Sequence, residues 1–190
     1  MPEIYLLRHG ETQWSLSGQH TGVSDIPLTE HGRQQAQLLR KALLTRNFQL
    51  VLTSPMQRAR QTCELAGLGA QAEIDPDLME WNYGDYEGLT SEQIHVHRPG
   101  WTIFKDGGGP GGETAEQVAV RVDRVITKVR ALRGDAALFA HGHVLRVLAA
   151  RWVGLAPRAG AHFLLDTATL SVLATDRGVP ALKCWNVSPS

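Results

Sequence analysis

Features of several specialised protein classes are scarce in this sequence of 190 residues. It has two cysteines, Cys63 and Cys184, which lack the spacing of metal ligands and are too few for a disulfide framework. No apolar run approaches the length of about 18 residues that a membrane span needs, and the first residues do not follow the signal-peptide pattern. We therefore expect a cytoplasmic protein with reduced thiols and no membrane partner.

An excess of charge of one sign is also absent. Nineteen Lys and Arg residues balance nineteen Asp and Glu residues, so the formal net charge is zero. Without a net positive field, no nucleic-acid partner is expected, and any binding of anions must depend on a local cluster of basic side chains. The hydrophobic content of 43% is ordinary for a folded soluble domain. Composition leaves homo-oligomerisation open.

Short apolar runs alternate with amphipathic segments along the whole chain. Strands are predicted at residues 4–7, 50–53, 73–74, 136–140, 162–165, 169–175 and 181–186. Helices are predicted at residues 29–45, 55–68, 115–129 and 144–153, with a short one after Thr90. This alternation predicts an α/β fold with three layers, in which a mostly parallel central sheet carries helices on both faces. A chain of this length without a linker predicts one domain, residues 1–190.

Two local patterns add detail to this outline. Ser54, Pro55 and Gln57 match a capping box with proline in the first turn, so a helix is predicted to begin there. Residues 106–113 are rich in glycine but lack the Gly-Lys-Ser/Thr ending of a nucleotide-binding loop. We interpret this second segment as a flexible connection or lid.

Basic side chains follow three of the buried strands where each strand ends. Arg8 and His9 follow the first strand, Arg58 lies in the first turn of the helix after the second, and His141 follows the third. Because the carboxyl ends of parallel strands meet at one edge of a sheet, we expect these side chains to lie close together. Each of them alone is typical of a solvated charge or of a histidine at a strand end. Together, two guanidiniums and two imidazoles fit a tetrahedral dianion such as a phosphoryl group.

The same residues belong to a set of short motifs in a fixed order. The motifs are Arg8-His9-Gly10-Glu11-Thr12, Thr21-Gly22, Ser54-Pro55, Arg58-Ala59-Arg60-Gln61-Thr62 and His141-Gly142. On these motifs, which extend over residues 4–146, the sequence resembles the histidine phosphatase superfamily, the proteins similar to phosphoglycerate mutase. The resemblance implies a phosphoglycerate-mutase-like α/β fold and catalysis through a phosphohistidine.

The resemblance also implies a role for each catalytic residue. His9 would be the nucleophile, and Arg8, Arg58 and His141 would bind the phosphoryl oxygens. Glu80 would give a proton to the leaving group and later take one from water. These roles are chemically sound, because an imidazole nitrogen can attack phosphorus. Two arginines with a protonated His141 can stabilise the charge on the equatorial oxygens without a metal ion or another cofactor.

The choice of the proton donor depends on the family motif. Three carboxylates, Glu80, Asp85 and Glu87, lie within a few residues of each other. By chemistry alone, any of them could exchange a proton with the leaving group. The family position selects Glu80.

Two His-x-His pairs invite a metal-binding interpretation. They are His95 with His97 and His141 with His143. Neither pair has a cysteine or carboxylate at ligand spacing, and two helical residues at that spacing point in different directions. No metal site is expected.

Three functions are compatible with such a site: a phosphatase, a phosphoglycerate-mutase-type phosphoryl transferase, and a module that binds phosphorylated ligands without chemistry. A binding module needs neither His9 nor Glu80. The cofactor-dependent mutases of the family are longer and commonly have asparagine after the tryptophan, where Ser15 follows Trp14 here. We therefore favour a phosphatase that acts on phosphorylated small molecules.

Further motifs, at residues 17–22, 80–88, 101–107 and 139–143, resemble a phosphatase subgroup. It contains fungal sedoheptulose-1,7-bisphosphatase and broad-specificity bacterial acid phosphatases. This resemblance implies substrate contacts by Ser15, His20, Thr21, Gly22, Tyr83 and Arg146. We expect Arg146, with Lys105 nearby, to bind a second anionic group of a sugar bisphosphate. The fungal enzyme has an insertion near residues 156–162 that is absent here, so the preference between bisphosphates and monophosphates stays open.

Overall fold

Residues 2–189 are described by the computed structural model, and their central element is a six-stranded sheet. The strands are β1 (Ile4–Arg8), β2 (Phe48–Thr53), β3 (Ala72–Ile74), β4 (Asp135–Ala140), β5 (Leu170–Asp176) and β6 (Val179–Val187). Their order is β3-β2-β4-β1-β5-β6, with β3, β2, β4 and β1 parallel and with β5 and β6 in antiparallel pairs. The prediction of a mostly parallel sheet is confirmed.

Seven α-helices are present among the described residues. They are α1 (Gln13–Ser17), α2 (Glu30–Leu43), α3 (Gln57–Leu65), α4 (Ser91–His97), α5 (Ile103–Asp106), α6 (Ala115–Arg130) and α7 (Gly142–Trp152). Short 3-10 helices cover Gly69–Gln71, Pro76–Leu78, Gly84–Tyr86 and Pro157–His162. Thr90 and Thr114 form the capping boxes that open α4 and α6. Within residues 2–189, no helix has the length and apolar character needed to cross a membrane.

The helices pack on both faces of the sheet, as the three-layer prediction requires. Successive side chains of a strand point to opposite faces. In β1, Ile4 and Leu6 belong to one buried cluster with the apolar stripes of α6 and α7. Tyr5 and Leu7 belong to a second cluster with apolar residues of α2 and α3. The strand is therefore buried on both faces, which explains why its sequence is continuously apolar.

The parallel pairing places three strand ends at one edge of the sheet. Arg8, the last residue of β1, pairs with Ala140 at the end of β4. Thr53, the last residue of β2, pairs with Phe139 of β4. The polar residues that follow β1, β2 and β4 therefore emerge side by side. This edge is where open α/β sheets bind their ligands.

Two local predictions are wrong. Residues 162–165 do not form a strand. His162 ends the 3-10 helix Pro157–His162, residues 163–165 follow it, and the carbonyl oxygen of Leu165 accepts a hydrogen bond from Arg8 instead of a strand neighbour. Helix α3 begins at Gln57 after Met56, which makes no side-chain cap, so Ser54 does not cap it. The hydroxyl of Ser54 instead lies 2.7 Å from Nε2 of His141.

The glycine-rich segment is a packed turn, which corrects its interpretation as a flexible connection or lid. The amide of Gly109 donates to the carbonyl oxygen of Tyr83, and the amide of Gly108 donates to that of Glu113. A Cβ atom on Gly108 would lie 2.6 Å from the carbonyl oxygen of Asn82. Glycine is needed here for close approach of two backbones.

Candidate active site

A cavity of about 200 Å³ opens where β1 and β4 end. Its walls come from the loop after β1, the segment around residue 80, the start of α7 and the segment after the last 3-10 helix. The residues that line it are Arg8, His9, Trp14, Ser15, Gly18, Gln19, His20, Thr21, Glu80, Tyr83, Gly142, His143, Arg146 and Leu165. Of the catalytic residues inferred from sequence, Arg8, His9 and Glu80 therefore reach the cavity wall, whereas Arg58 and His141 lie behind it.

The ring of His9 is held in one tautomer. Its Nδ1 atom lies 2.7 Å from the carbonyl oxygen of Gly10, which can only accept, so Nδ1 carries the hydrogen. Burial, with the nearby charges of Arg58 and Arg8, lowers the pKa of His9 well below its ordinary value. The imidazole is therefore neutral near pH 7. Its Nε2 atom carries a lone pair and has no protein partner within residues 2–189.

Arg58 and His141 form a fully buried pair next to His9. The Nε atom of Arg58 donates to Nδ1 of His141 over 3.1 Å, so the hydrogen of the imidazole is on Nε2, which donates to the hydroxyl of Ser54. The rings of His9 and His141 are 5.2 Å apart. Burial and the charge of Arg58 lower the pKa of His141 well below its ordinary value. The expectation that His141 is protonated is therefore wrong for the free protein.

The guanidinium of Arg58 is fastened to the loop before α2. It donates to the carbonyl oxygens of Ser24 (2.7 Å), Gly22 (2.9 Å) and Thr21 (3.2 Å). The carboxylate of Glu87 accepts from the amides of Gly22 (2.8 Å) and Ser24 (3.0 Å). Thr21 and Gly22 thus hold Arg58 through their backbone. Glu87, one of the alternative acids, is used in this loop and does not line the cavity.

Arg8 lines the cavity with part of its donor capacity unused. One Nη atom donates to the carbonyl oxygen of Leu165. The Nε atom is buried and has no hydrogen-bond partner among the described residues. A Cβ atom on Gly142 would lie 3.3 Å from this guanidinium, so glycine at the start of α7 leaves space for the arginine. An unpaired buried donor is costly, so the position of this guanidinium is maintained against a cost in stability.

The carboxylate of Glu80 is almost fully buried and faces the start of α7. Its Oε1 atom accepts from the amides of Trp81 (2.9 Å) and Val144 (2.8 Å), and its Oε2 atom accepts from the amide of His143 (2.9 Å). The positive end of the helix dipole also favours a carboxylate at this place. Of the three candidate acids, Glu80 is the one that lines the cavity, while Asp85 is exposed.

Arg121, which the sequence analysis did not single out, holds the segment around Glu80. It donates to the carbonyl oxygens of Asp77, Met79 and Glu80 and forms a salt bridge with Glu113. The side chain is buried because it lies on the core-facing stripe of α6, where the other residues are apolar. An arginine among apolar stripe residues was the signal in the sequence, since such a residue needs buried partners.

A second cavity, of about 320 Å³, adjoins the first and is mostly apolar. Trp101, Ile103 and Phe104 form much of its wall. The guanidinium of Arg146 lies 4.5 Å from the ring centroid of Phe104 and donates to the carbonyl oxygens of Gly160 and Ala161. The second cavity therefore lies beside the first, and the guanidinium of Arg146 lies at the boundary between them.

His20 and Tyr83 stack at the boundary between the two cavities, with ring centroids 4.8 Å apart. Burial lowers the pKa of His20 to about 4, so this ring is neutral near pH 7. The hydroxyl of Tyr83 lies 2.5 Å from Nδ1 of His143. His143 lines both cavities, and its signal in the sequence was its place at the end of the motif at residues 139–143.

Three expected substrate contacts differ from their prediction. Gly22 lines neither cavity, and its carbonyl oxygen accepts from Arg58. Ser15 lines the cavity, but its hydroxyl donates to the carbonyl oxygen of Thr12 and accepts from the Thr12 amide in the capping box of α1. Lys105 is exposed and lines neither cavity, because Phe104 takes the inward position on the short helix α5. Between residues 2 and 189, no cluster of three His, Cys, Asp or Glu side chains could hold a metal ion.

This fold and this site have counterparts among known proteins. The model of the histidine phosphatase superfamily (branch 1) matches residues 4–188, and the chain belongs to that family. An acid phosphatase of Mycobacterium tuberculosis is 38% identical over 183 residues, covering 94% of this chain and 89% of the relative. Sedoheptulose 1,7-bisphosphatase of Saccharomyces cerevisiae is 38% identical over 189 residues, covering 81% and 68%.

Solved structures agree with this assignment. The structure of an open-reading-frame product of Mycobacterium tuberculosis superposes with a TM-score of 0.94 at 35% identity and covers 100% of this chain and 99% of its own. The predicted phosphoglycerate-mutase-like fold is therefore confirmed. Family membership and the phosphatase relatives together place the chain among the phosphoric monoester hydrolases.

Proposed function

We propose that this protein hydrolyses phosphomonoesters of small metabolites, without a metal ion, through a phosphohistidine formed on His9. The observation that carries the proposal is the state of that ring. Its Nδ1 hydrogen is held by the carbonyl oxygen of Gly10, and its pKa is lowered well below the ordinary value by burial and by two arginines. A buried imidazole that lines a cavity with an unprotonated Nε2 is a ready nucleophile.

In the first step, Nε2 of His9 attacks phosphorus, and the bond between phosphorus and the ester oxygen breaks. The transition state has its charge on three equatorial oxygens, so fixed positive charges stabilise it. Arg8 lines the cavity with its guanidinium, of which one Nη atom is bound to the carbonyl oxygen of Leu165. Arg58 and His141 lie directly behind His9. Arg58 supplies a second positive charge, while the Nε2–H group of His141 donates to Ser54 and so holds the pair in place.

Glu80 is the proposed proton carrier. In its acid form it protonates the departing alkoxide, and as a carboxylate it then takes a proton from the water that attacks the phosphohistidine. The second step breaks the N–P bond, releases inorganic phosphate and restores both residues. Three backbone amides fix the carboxylate in place, which suits a group that must exchange protons in both steps.

The alternatives are disfavoured by particular contacts. In a mutase, the phosphoryl group returns to a second hydroxyl of a bound sugar acid. At the position after Trp14, Ser15 has its hydroxyl committed to Thr12, so it offers little to a bound phosphoryl group. A binding module without chemistry would not require a neutral His9 beside a buried carboxylate.

The relatives and Arg146 support a proposed substrate class. Proteins with about the same identity to this chain are named acid phosphatase and sedoheptulose 1,7-bisphosphatase, so small phosphorylated metabolites, including sugar phosphates and bisphosphates, are the proposed substrates. The guanidinium of Arg146 lies at the boundary of the two cavities, where a second anionic group would be bound. The site draws on residues from 8 to 165, and we propose that the whole chain acts as one domain.

The test is to trap the intermediate. Brief incubation with a ³²P-labelled phosphomonoester, followed by quenching without acid, should leave acid-labile phosphate on His9. His9→Ala should lose both the trapped phosphate and turnover, while the exposed His97→Ala serves as the matched control and should retain both. A chelator should change neither result. Turnover by His9→Ala at the normal rate, or loss of activity with chelator, would rule out this mechanism.

A further inference from the structure

His143 is at the junction of the two cavities, with one ring nitrogen uncommitted. Three residues line both cavities, namely His20, His143 and Arg146. Nε2 of His20 lies 3.3 Å from the hydroxyl of Ser91, and the Nε and Nη2 atoms of Arg146 are bound to carbonyl oxygens. Nε2 of His143 has no partner among the described residues and is not among their fully buried, unpaired atoms.

The hydroxyl of Tyr83 determines which nitrogen of His143 carries the hydrogen. This buried phenol has no other acceptor within residues 2–189, so its hydrogen is assigned to the 2.5 Å contact with Nδ1 of His143. Nδ1 is then the acceptor, and Nε2 carries the hydrogen. Burial and the nearby carboxylates of Glu80 and Glu87 raise the pKa of Tyr83 well above its ordinary value, so the phenol remains a donor.

The ring is also neutral. Burial, with the charges of Arg146 and Arg8 and the neighbouring His20, lowers the pKa of His143 well below its ordinary value. His143 thus presents a neutral N–H donor to the junction. A neutral donor recognises a hydroxyl or ether oxygen without the strong preference for anions that an imidazolium has.

The backbone of His143 places this donor next to the proposed proton carrier. The amide of His143 donates to Oε2 of Glu80 over 2.9 Å, and its Nδ1 lies 3.9 Å from the same oxygen. If Glu80 protonates the ester oxygen, the carbon atoms that follow this oxygen in the leaving group must pass the imidazole on their way to the second cavity.

We infer that His143 contacts the substrate and selects leaving groups that carry a hydroxyl or another oxygen acceptor close to the ester oxygen, as polyol and sugar phosphates do. This inference rests on the proposed function. It assigns the hydroxyl of Tyr83 a positioning task, because that hydroxyl keeps the hydrogen of His143 on Nε2.

The experiment compares two matched esters, glycerol 1-phosphate and propyl phosphate, which differ in their hydroxyl groups. The readout is the ratio of their kcat/KM values. In the wild type, the ratio should favour glycerol phosphate by about 3–10-fold, the effect of one neutral hydrogen bond. His143→Phe, which keeps a flat ring but has no donor, should bring the ratio close to one. His97→Phe, an exposed control, should keep the wild-type ratio.

A second pair of variants covers the case in which His143→Phe does not fold. The amide group of His143→Gln reaches about as far as Nε2 and should retain most of the preference, whereas the shorter His143→Asn should lose it. Circular dichroism and thermal unfolding show that each variant is folded. If His143→Phe or His143→Asn keeps the full preference, the inference is wrong.

The pH dependence separates a neutral donor from a charged one. The ionisable groups that face the ring are Glu80, Tyr83, His20, Arg8 and Arg146. Both esters have the same phosphate group, so its ionisation cancels in the ratio, which should be constant between pH 5.5 and pH 8. A preference that increases toward pH 5.5 would contradict the neutral donor. If the wild type hydrolyses neither ester, the proposed function fails; if it hydrolyses both at equal rates, only the inference about His143 fails.

Discussion

Replacing Glu80 by glutamine tests the proton-transfer step most directly. The substitution keeps the shape of the side chain but removes the proton that is exchanged. Loss of a general acid–base group lowers kcat roughly 10²–10⁴-fold, which corresponds to about 3–5 kcal/mol of transition-state stabilisation. For an alkyl phosphate, whose alkoxide leaves only when protonated, the full loss should appear in the first step.

The structure predicts an additional effect on stability. Oε1 of Glu80 accepts two amide hydrogens and Oε2 accepts one, from His143. Glutamine can supply one oxygen for the pair, but its NH₂ group would then face the amide of His143, donor against donor. An unpaired buried donor costs about 1–3 kcal/mol, so the melting temperature should fall by roughly 2–12 °C. The variant should therefore be assayed well below its melting temperature.

Stopped-flow kinetics with nitrophenyl phosphate separate the two steps. Nitrophenolate leaves without a proton, so phosphorylation of His9 should be nearly normal in Glu80→Gln. Hydrolysis of the phosphohistidine still needs a base and should be slow. The variant should therefore release about one nitrophenolate per active site in a burst and then turn over slowly, because the phosphoenzyme accumulates.

The control is Asp85→Asn, which removes an exposed carboxylate five residues away and should give wild-type kinetics. Equal losses for nitrophenyl and alkyl phosphates in Glu80→Gln, with no burst, would refute the assignment of Glu80. If the variant hydrolyses both substrates at the wild-type rate, another residue must be the general acid.

Two further predictions concern the boundary of the cavities. Arg146→Ala should lower kcat/KM for a sugar bisphosphate by roughly 10–150-fold, the effect of losing a charge-assisted contact. The decrease for a small monophosphate should be much smaller. Equal decreases for the two substrates would show that Arg146 does not bind a second phosphate group. Because the pKa of His20 is lowered to about 4 in the folded protein, the unfolded chain binds this proton more readily, and the stability present above the ordinary pKa of imidazole is lost as the pH falls toward 4. The free energy of unfolding, measured with denaturant, decreases between pH 7 and pH 5, and this decrease should be about 2 kcal/mol smaller in His20→Phe than in the wild type. In the control His97→Phe, the decrease should be the same as in the wild type.

Many features of the fold were predictable because they depend on local pattern. The alternation of apolar runs with amphipathic segments indicated the sheet and its layers, and β1 and β4 lie within a residue or two of their predicted bounds. The capping boxes at Thr90 and Thr114 needed only residues three positions apart. The predicted strand at residues 162–165 failed because the carbonyl oxygens of Leu164 and Leu165 accept hydrogen bonds from the side chains of Trp185 and Arg8, which are distant in the sequence.

The contacts within the site were less predictable, because most of them join residues far apart in the chain. Ser54 looked like a helix cap, yet its hydroxyl is within hydrogen-bond distance of a histidine 87 positions away. The tautomer of His143 depends on Tyr83, 60 positions away. The glycine-rich residues 106–113 suggested flexibility, because a sequence does not show that two backbones approach too closely for any side chain.

The sequence by itself determined which chemical groups this protein has and the edge of the sheet at which they meet. Arg8, His9 and His141 follow parallel strands, and the direction of a buried strand depends on the local apolar pattern and on the rule for its connections. Only the tertiary structure decided the protonation state of these groups and their access to the cavity. His9 and His141 are neutral because burial and Arg58 act on them together. Burial and the distance between charges are properties of the packed molecule, since they depend on every element that surrounds a group.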